Sequence, residues 1–344
     1  MPVDEYLNAL RAELELRYRD SGAWTADTLY FGGGTPSRLG GSGVARMLDL
    51  LSEYVSLASN AEVTLEANPD DIDRASAALW REAGINRLSI GSQSFDDRAL
   101  EWMHRTHDAR GIDRAVEAAR SAGIDNVSLD LIFALPERTE RSWERDVARA
   151  LTLAPQHLSL YGLTIEPHTP LGRWHGRGDV VESPEERYES EFLYAHAALA
   201  SAGFEHYEVS NFGKPGFHSR HNAAYWTGEP YAGLGPSAHE FDGVTRRWNV
   251  RAYTDWVGRL AERRDPLDEA EQLSAENRMA EQVYLGLRTT NGLVLSGPEI
   301  ARVQPWIDAG WAQLNDADRI ALTPLGWLRL DSLAADLTHV RSHY

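Results

Sequence analysis

The feature that most constrains the fold is a regular alternation of strand-like and helix-like segments over the first half of the chain. Strand-like runs lie at 28–31, 62–67, 87–91, 126–133 and 157–164, and helix-like runs lie at 4–19, 44–54, 71–83, 110–122 and 140–151. Short strands that alternate with helices of about 10–15 residues form right-handed βαβ units and a parallel sheet. The sequence therefore predicts an α/β fold built on a curled sheet or a partial (β/α) barrel.

Polar residues stand where the predicted strands end. A triple glycine follows the first strand, and Glu66, Gln93, Asp130 and Thr164 follow or close the next four. The carboxyl ends of parallel strands meet at one edge of the sheet, which is where such folds bind ligands. We therefore expect a shared pocket at this edge.

The second half of the chain has a different pattern. After a long helix at 185–202 and a strand at 204–210, the stretch 211–243 is rich in Gly, Pro, His and aromatic residues and reads as an irregular segment over the barrel mouth. A helix at 274–289, a hairpin of strands 319–322 and 327–330, and a helix from 331 follow. The predicted domains are a partial barrel at 1–210, an irregular His- and aromatic-rich segment at 211–265, and a small helical, winged-helix-like domain at 266–344.

Charge and cysteine content restrict the partners. The chain has 344 residues with 52 Asp+Glu against 34 Lys+Arg, a formal charge of −18, which argues against nucleic acid or an anionic membrane as the main partner. It contains no cysteine, so disulfides and cysteine-ligated metals are excluded in the chain as given. No apolar run approaches the roughly 18 residues needed to cross a bilayer. The expectation is a cytoplasmic protein with no integral membrane segment.

A series of motifs in fixed order resembles one family. The motifs are Phe31-Gly32-Gly33-Gly34-Thr35-Pro36, Glu66-x-Asn68-Pro69, Ser89-Ile90-Gly91-Ser92-Gln93-Ser94-Phe95, Arg105-x-His107, Asp130-Leu131-Ile132-Phe133, Leu163-Thr164-Ile165-Glu166, Tyr207-Glu208-x-Ser210-Asn211-Phe212, His221-Asn222-x-x-Tyr225-Trp226, Gly233-x-Gly235-Pro236-x-Ala238-His239 and Leu285-Gly286-Leu287-Arg288. Together they resemble the radical S-adenosylmethionine (SAM) proteins related to oxygen-independent coproporphyrinogen III oxidase. The motifs after residue 200 are similar to the HemW-type haem-chaperone branch.

The resemblance implies a partial (β/α)6 barrel, SAM and haem as ligands, and haem-acceptor proteins as partners. It also implies a [4Fe–4S] cluster held by a Cys-x-x-x-Cys-x-x-Cys loop after the first barrel strand, and this chain lacks those cysteines. Cluster binding is therefore expected only in a form that carries them. We expect the chain to be an N-terminal truncation that lacks the first strand and the cysteine loop; a relative without a cluster is the alternative.

The resemblance also assigns the residues of a SAM site. Gly33, Gly34 and Thr35 match the loop that binds the SAM amino group through backbone carbonyls, although a tight turn alone would explain a glycine run.

Glu66 and Asp130 are carboxylates within apolar strands and would meet an ammonium or ribose hydroxyls, or else Arg87 or Arg105. Gln93 can donate and accept hydrogen bonds to a ribose or carboxylate, and Arg105 suits the methionine carboxylate.

The candidate haem residues form a second group, His221, Tyr225 and Trp226. An imidazole can ligate haem iron and flat aromatic rings can pack on a porphyrin; a hydrogen-bonded core histidine is the alternative. His218, Arg220 and His239 are nearby substitutes, with Arg220 able to pair a propionate.

Two other functions remain open at this stage. The first is an oxygen-independent coproporphyrinogen III oxidase, and the second is an unrelated barrel hydrolase or lyase. No catalytic residue or metal ligand is assigned from the sequence.

Overall fold

The computed structural model describes residues 2–19, 24–167, 169–314 and 319–342. Seven strands form its main sheet: β1 (Trp24–Phe31), β2 (Val55–Ala67), β3 (Arg87–Gln93), β4 (Asn126–Phe133), β5 (His157–Gly162), β6 (Glu205–Glu208) and β7 (Asn211–Gly213). The strand order is β1-β2-β3-β4-β5-β7-β6. The first five strands are mutually parallel, and β7 runs antiparallel to both β5 and β6. The predicted α/β class and curled, partial-barrel sheet are confirmed.

Helices connect and flank these strands. In the first half of the chain they are α1 (Val3–Tyr18), α2 (Gly40–Ser52), α3 (Arg74–Ala83), α4 (Asp97–Trp102), α5 (Ala109–Ser121), α6 (Trp143–Thr152), α7 (Pro170–Gly176) and α8 (Glu185–Ser201). Asp73, Asp108 and Ser142 cap α3, α5 and α6 by accepting a backbone N–H with the side chain. Such caps contribute about 1 kcal/mol each, so these helix starts are set locally.

The remaining elements follow β7. They are α9 (Arg220–Thr227), β8 (His239–Phe241), β9 (Thr245–Asn249), α10 (Tyr253–Ala261), β10 (Leu267–Gln272), α11 (Ala275–Arg288), β11 (Leu293–Val294), α12 (Gly297–Asp308), β12 (Ala312–Leu314), β13 (Arg319–Leu322), α13 (Pro324–Trp327) and α14 (Leu330–Arg341). Two small antiparallel sheets form, β10-β9-β8 and β11-β13-β12. The second sheet lies with α11, α12 and α14 in the region predicted to be winged-helix-like. The three domain boundaries themselves remain predictions.

Side chains on the parallel strands alternate between apolar and polar. The helix-facing positions are apolar and form part of the core, for example Val63, Leu65, Leu88 and Ile90. The positions between them face the inside of the curled sheet, which we call the lumen, and are polar: Thr28, Tyr30, Glu62, Thr64, Glu66, Arg87, Ser89, Ser128, Asp130, His157 and Ser159. Because successive strand residues point to opposite faces, the sheet packs on helices with one side and presents hydrogen-bonding groups with the other.

Two sequence predictions are wrong. Residues 327–330 are not a strand, because Thr323 caps a helix that begins with Pro324, and β13 pairs instead with β11 and β12. The strand predicted at 204–210 does form, as β6, and it pairs antiparallel with β7.

The segment 211–265 is also more regular than predicted. It contains β7, α9, β8, β9 and α10, and Ser219 caps α9 by accepting the N–H of Asn222. This helix docks inside the lumen against Thr28 and Glu62, whereas the sequence placed the segment over the barrel mouth. Among the described residues no helix has the length and apolar character that a membrane span requires.

Candidate functional site

The glycine loop after β1 is held in place by Glu66. The Gly33 N–H donates to Oε2 of Glu66 at 3.0 Å, and the Tyr30 hydroxyl donates to Oε1 at 2.5 Å. Gly33 has φ +97°, a left-handed conformation that glycine adopts without strain, whereas the φ of +78° at Thr35 is strained for a β-branched residue. No heavy atom lies within 4 Å of the position that a Cβ would take on Gly33 or Gly34. The loop backbone is therefore open to a ligand.

Asp130 lies two strands away in the same lumen. Its carboxylate accepts a hydrogen bond from Ser89 Oγ at 2.9 Å. Burial raises the pKa of Asp130 to about 6, and the nearby charge of Glu66 acts in the same direction. A buried carboxyl group whose pKa is raised by burial and by a neighbouring carboxylate favours a cationic or hydroxyl-bearing ligand beside it.

Gln93 ends β3 with φ +64°. A Cβ on Gly91 would come within 2.9 Å of the Gln93 Nε2 atom, so glycine at position 91 leaves room for the amide. Gln93 therefore joins the same strand edge as Glu66 and Asp130, as the sequence predicts.

Arg105 follows α4 in a segment that is attached to two strand ends. The neighbouring Thr106 hydroxyl donates to Asp70, after β2, and the ring of His107 bonds to the Ser92 carbonyl in β3 at 3.2 Å. Within the described ranges the Arg105 guanidinium has no hydrogen bond or ion pair to protein. It remains available for a carboxylate.

These residues fit SAM but not an iron–sulfur cluster. The open glycine loop, the paired acidic groups and the unengaged arginine complement an amino acid with a cationic centre and ribose hydroxyls. The chain contains no cysteine, so its own residues offer no thiolate for a [4Fe–4S] cluster. In the part of the chain that the structure describes, no cluster of three or more His, Cys, Asp or Glu side chains could hold a metal ion.

The amino-terminal half of the lumen, which we call the lower lumen, is lined by Thr28, Glu62, Arg87, Ser128 and His157. It holds polar residues that the sequence reasoning missed or left unassigned. Arg87 is 2% exposed, and its Nε has no hydrogen-bond partner among the described residues. His157 is fully buried, bonding Ser128 Oγ and the Tyr207 hydroxyl at 2.8 Å each, and burial holds the pKa of His157 well below its usual value. A sequence signal for these residues exists: polar residues alternate with apolar ones along the strands. This alternation predicts a polar inner face along the whole sheet and not only at the strand ends.

His221 is half-buried in this lower lumen with both ring nitrogens engaged. Nδ1 lies 2.9 Å from Thr28 Oγ1 and Nε2 lies 3.1 Å from the Tyr225 hydroxyl. The ring stacks on Tyr30 with centroids 4.7 Å apart. Burial, with the charge of Arg87, lowers the pKa of His221 to about 4. The imidazole is neutral at pH 7, as a metal ligand must be.

The other histidines near this motif are occupied differently. His218 pairs with Glu205 at 2.7 Å and stacks on Tyr207, and His239 stacks on Trp248 with centroids 5.7 Å apart. Arg220 donates to the Asn60 carbonyl at 2.5 Å.

Two cavities meet at Tyr225. The first, which we call the edge cavity, has a volume of about 1020 Å³ and runs along β1; its walls include Trp24, Leu51, Arg220, His221 and Tyr225. The second, which we call the interdomain cleft, has a volume of about 860 Å³ and lies between α9, α11 and α14; its walls include Tyr225, Trp226, Tyr231, Phe241 and Tyr284. The predicted haem residues therefore divide: His221 faces the edge cavity, Trp226 faces the interdomain cleft, and Tyr225 lines both.

Comparisons with known proteins agree on the family. The Radical SAM superfamily model matches residues 8–150. The chain is similar to the heme chaperone HemW of Bacillus subtilis, with 36% identity over 85% of this chain and 77% of the relative. It is also similar to the heme chaperone HemW of Mycobacterium tuberculosis, with 37% identity over 97% and 86% of the two chains. Among solved structures, coproporphyrinogen III oxidase (HemN) from Escherichia coli, a radical SAM enzyme, superposes with a TM-score of 0.82 at 23% identity, over 98% of this chain and 83% of that one. The last likeness is evidence for the fold.

Proposed function

Because the chain belongs to the HemW family of radical SAM proteins, we propose that it is a haem chaperone of the cytoplasm that binds haem and SAM and delivers haem to acceptor proteins. One observation carries the proposal: His221, neutral at pH 7, lies on the wall of an edge cavity of about 1020 Å³. Ligand pockets in proteins have volumes of about 300–1000 Å³, so the edge cavity has room for a large ligand.

The edge cavity provides the contacts that a haem needs. Its wall is largely apolar, and the aromatic rings of Trp24 and Tyr225 can pack on the macrocycle. His221 Nε2 can bind the iron once it gives up its bond to the Tyr225 hydroxyl, and Arg220 on the same wall can pair a propionate.

SAM would bind at the strand edge above. Gly33 and Gly34 would receive its amino group, Arg105 its carboxylate, and Gln93 with Asp130 its ribose. In this family the cluster supplies the electron for reductive cleavage of SAM. This chain contributes no cluster ligand, so its own residues bind and orient SAM.

A haem titration tests the proposal. We expect ferric haem to bind with a defined Soret band, and His221→Ala to shift that band because the axial nitrogen is lost. His239→Ala is the matched control, since His239 lies outside the edge cavity, and its spectrum should equal that of the unmodified protein. An unchanged band in His221→Ala, with a change in His239→Ala, would move the ligand assignment.

SAM binding is tested separately by calorimetry. Asp130→Ala and Gln93→Ala should each weaken binding about ten- to a hundredfold, because a hydrogen bond to a charged group contributes roughly 1.5–3 kcal/mol. Unchanged affinity in both variants would refute the SAM site. Oxidative decarboxylation of coproporphyrinogen III under anaerobic conditions would instead identify the oxidase alternative.

A further inference from the structure

We propose that the interdomain cleft is the docking site for a basic, partly apolar segment of the acceptor protein, and that Tyr225 connects this docking to the haem site. The proposal rests on the proposed chaperone function. It identifies the chemistry of the partner from the cleft itself.

The charge of the cleft selects a cation. Four acidic side chains line it, Glu229, Glu276, Glu281 and Asp331. Among the described residues of the wall Arg246 is the one arginine, and it is already paired with Glu281 at 2.6 Å. A dicarboxylate such as a porphyrin would meet net negative charge here, whereas lysine or arginine side chains would be attracted.

The aromatic walls suit such a segment as well. Two of these rings already accept a guanidinium from the protein: Arg288 lies 4.1 Å from the ring centroid of Trp226, and Arg246 lies 5.4 Å from that of Phe241. Those two faces are occupied, whereas Tyr284 on the same wall has no cation over its ring among the described residues, so its face can receive a lysine or arginine of the partner.

Tyr225 joins the cleft to the haem site. Its ring lines both cavities, packs edge-on against Tyr231 at 4.6 Å, and its hydroxyl bonds His221 Nε2 at 3.1 Å. In the haem-bound protein the Tyr225 ring would pack on the macrocycle from the wall of the edge cavity, and a segment that displaces the ring removes that contact. Occupation of the cleft is therefore expected to weaken haem binding and so to speed haem release, and by linkage haem should weaken binding in the cleft.

The first test measures binding of a probe peptide by fluorescence anisotropy. The probe is a fluorescein-labelled nonapeptide of alternating lysine and leucine, and a peptide of alternating glutamate and leucine is its control. The double variant Glu276→Lys/Asp331→Lys reverses two exposed charges in the cleft. The double variant Glu185→Lys/Glu186→Lys makes the same charge change on the exposed start of α8, outside the cleft.

We expect the cleft variant to raise the Kd of the lysine peptide about tenfold or more at low salt and the α8 variant to change it less than about twofold. Binding should weaken as salt shortens the Debye length. Equal effects of the two variants would show attraction to the overall charge of −18 and would overturn the proposal, as would preference for the glutamate peptide.

The second test measures transfer of haem from the loaded protein to apomyoglobin. The lysine peptide should speed transfer at least about threefold in the unmodified protein and leave it unchanged in Glu276→Lys/Asp331→Lys. No acceleration with the peptide bound would overturn the link through Tyr225. If the protein binds no haem, the proposed function fails, while the anisotropy result still decides whether the cleft binds basic segments.

Discussion

Removal of the Glu62 carboxylate should loosen α9 and displace His221. Glu62 lies on β2 inside the lumen and is 7% exposed. Its Oε1 accepts the His221 N–H at 3.0 Å and its Oε2 accepts the Arg220 N–H at 3.1 Å. One side chain on the sheet thus binds two of the free N–H groups that begin the helix. Glu62→Ala leaves both donors without this partner.

The size of the effect follows from these two bonds. A hydrogen bond to a charged group contributes roughly 1.5–3 kcal/mol, and a carboxylate at a helix N-terminus adds up to about 2 kcal/mol in a partly buried setting. The terms overlap, so we expect a loss of about 3–5 kcal/mol in the free energy of unfolding, the range seen when a buried charged partner is removed. Glu62→Gln keeps one acceptor oxygen and should lose about half as much.

Urea unfolding followed by circular dichroism measures the loss, with the midpoint compared at an unchanged m-value. A haem titration of the same variants reports the placement of His221, and Glu62→Ala should bind haem more weakly than Glu62→Gln. The reasoning fails if Glu62→Ala costs less than about 1 kcal/mol, or if it destabilises strongly and leaves the Soret band and the affinity unchanged.

Three further predictions concern buried charges. Burial lowers the pKa of His206 to about 3, so between pH 6.5 and 3 this histidine is protonated in the unfolded chain and neutral in the folded one. The free energy of unfolding therefore falls by up to about 1.4 kcal/mol per pH unit as the pH drops through this range. In urea unfolding, the stability of His206→Gln should depend less steeply on pH over the same range. The pKa of Asp130 is raised to about 6, so its contribution to stability is fully present below pH 3.8 and is lost as the pH rises to 6. At pH 8 Asp130→Asn should therefore stabilise the ligand-free protein by about 1–3 kcal/mol. A lower urea midpoint for this variant would contradict the prediction. Arg87 forms no ion pair among the described residues, so Arg87→Met should leave the free energy of unfolding in urea unchanged or raise it by up to about 4 kcal/mol. The pKa of His221, measured by NMR, should rise because the charge of Arg87 is removed.

The strand edge could be predicted from the sequence because its signals are local. A buried apolar run that ends in Glu66 or Gln93 places each polar group at the carboxyl end of its own strand, and Asp130 lies in β4 three residues before that strand ends. Parallel pairing then brings these groups to one edge. The caps of α3, α5 and α6 are likewise formed by residues next to each helix in the sequence. The sequence therefore predicts these helices to within a few residues at their ends.

The position of α9 could not be predicted, because it depends on contacts between distant residues. Glu62 lies 159 positions from His221 and 158 positions from Arg220, the two residues whose N–H groups it accepts. Ser219 is a helix-capping residue that can be recognised in the sequence. The glycines and aromatic residues around it, however, do not show the pattern of a helix, so the eight-residue α9 is not predicted. Only the folded structure shows that the Glu62 carboxylate inside β2 accepts the first N–H groups of α9.

The two candidate sites share one residue, and this follows from the register of the sheet. Thr28 pairs with Glu62 and Tyr30 with Thr64, so β1 and β2 place the α9 contacts one layer below the carboxylate of Glu66. Tyr30 spans both layers: its hydroxyl donates to Glu66 at 2.5 Å, and its ring stacks on His221 at 4.7 Å. Glu66 in turn holds the Gly33 N–H of the open loop. A ligand that draws Glu66 away from the Tyr30 hydroxyl therefore acts on the residue that supports His221, so SAM and haem binding are expected to influence each other through this tyrosine.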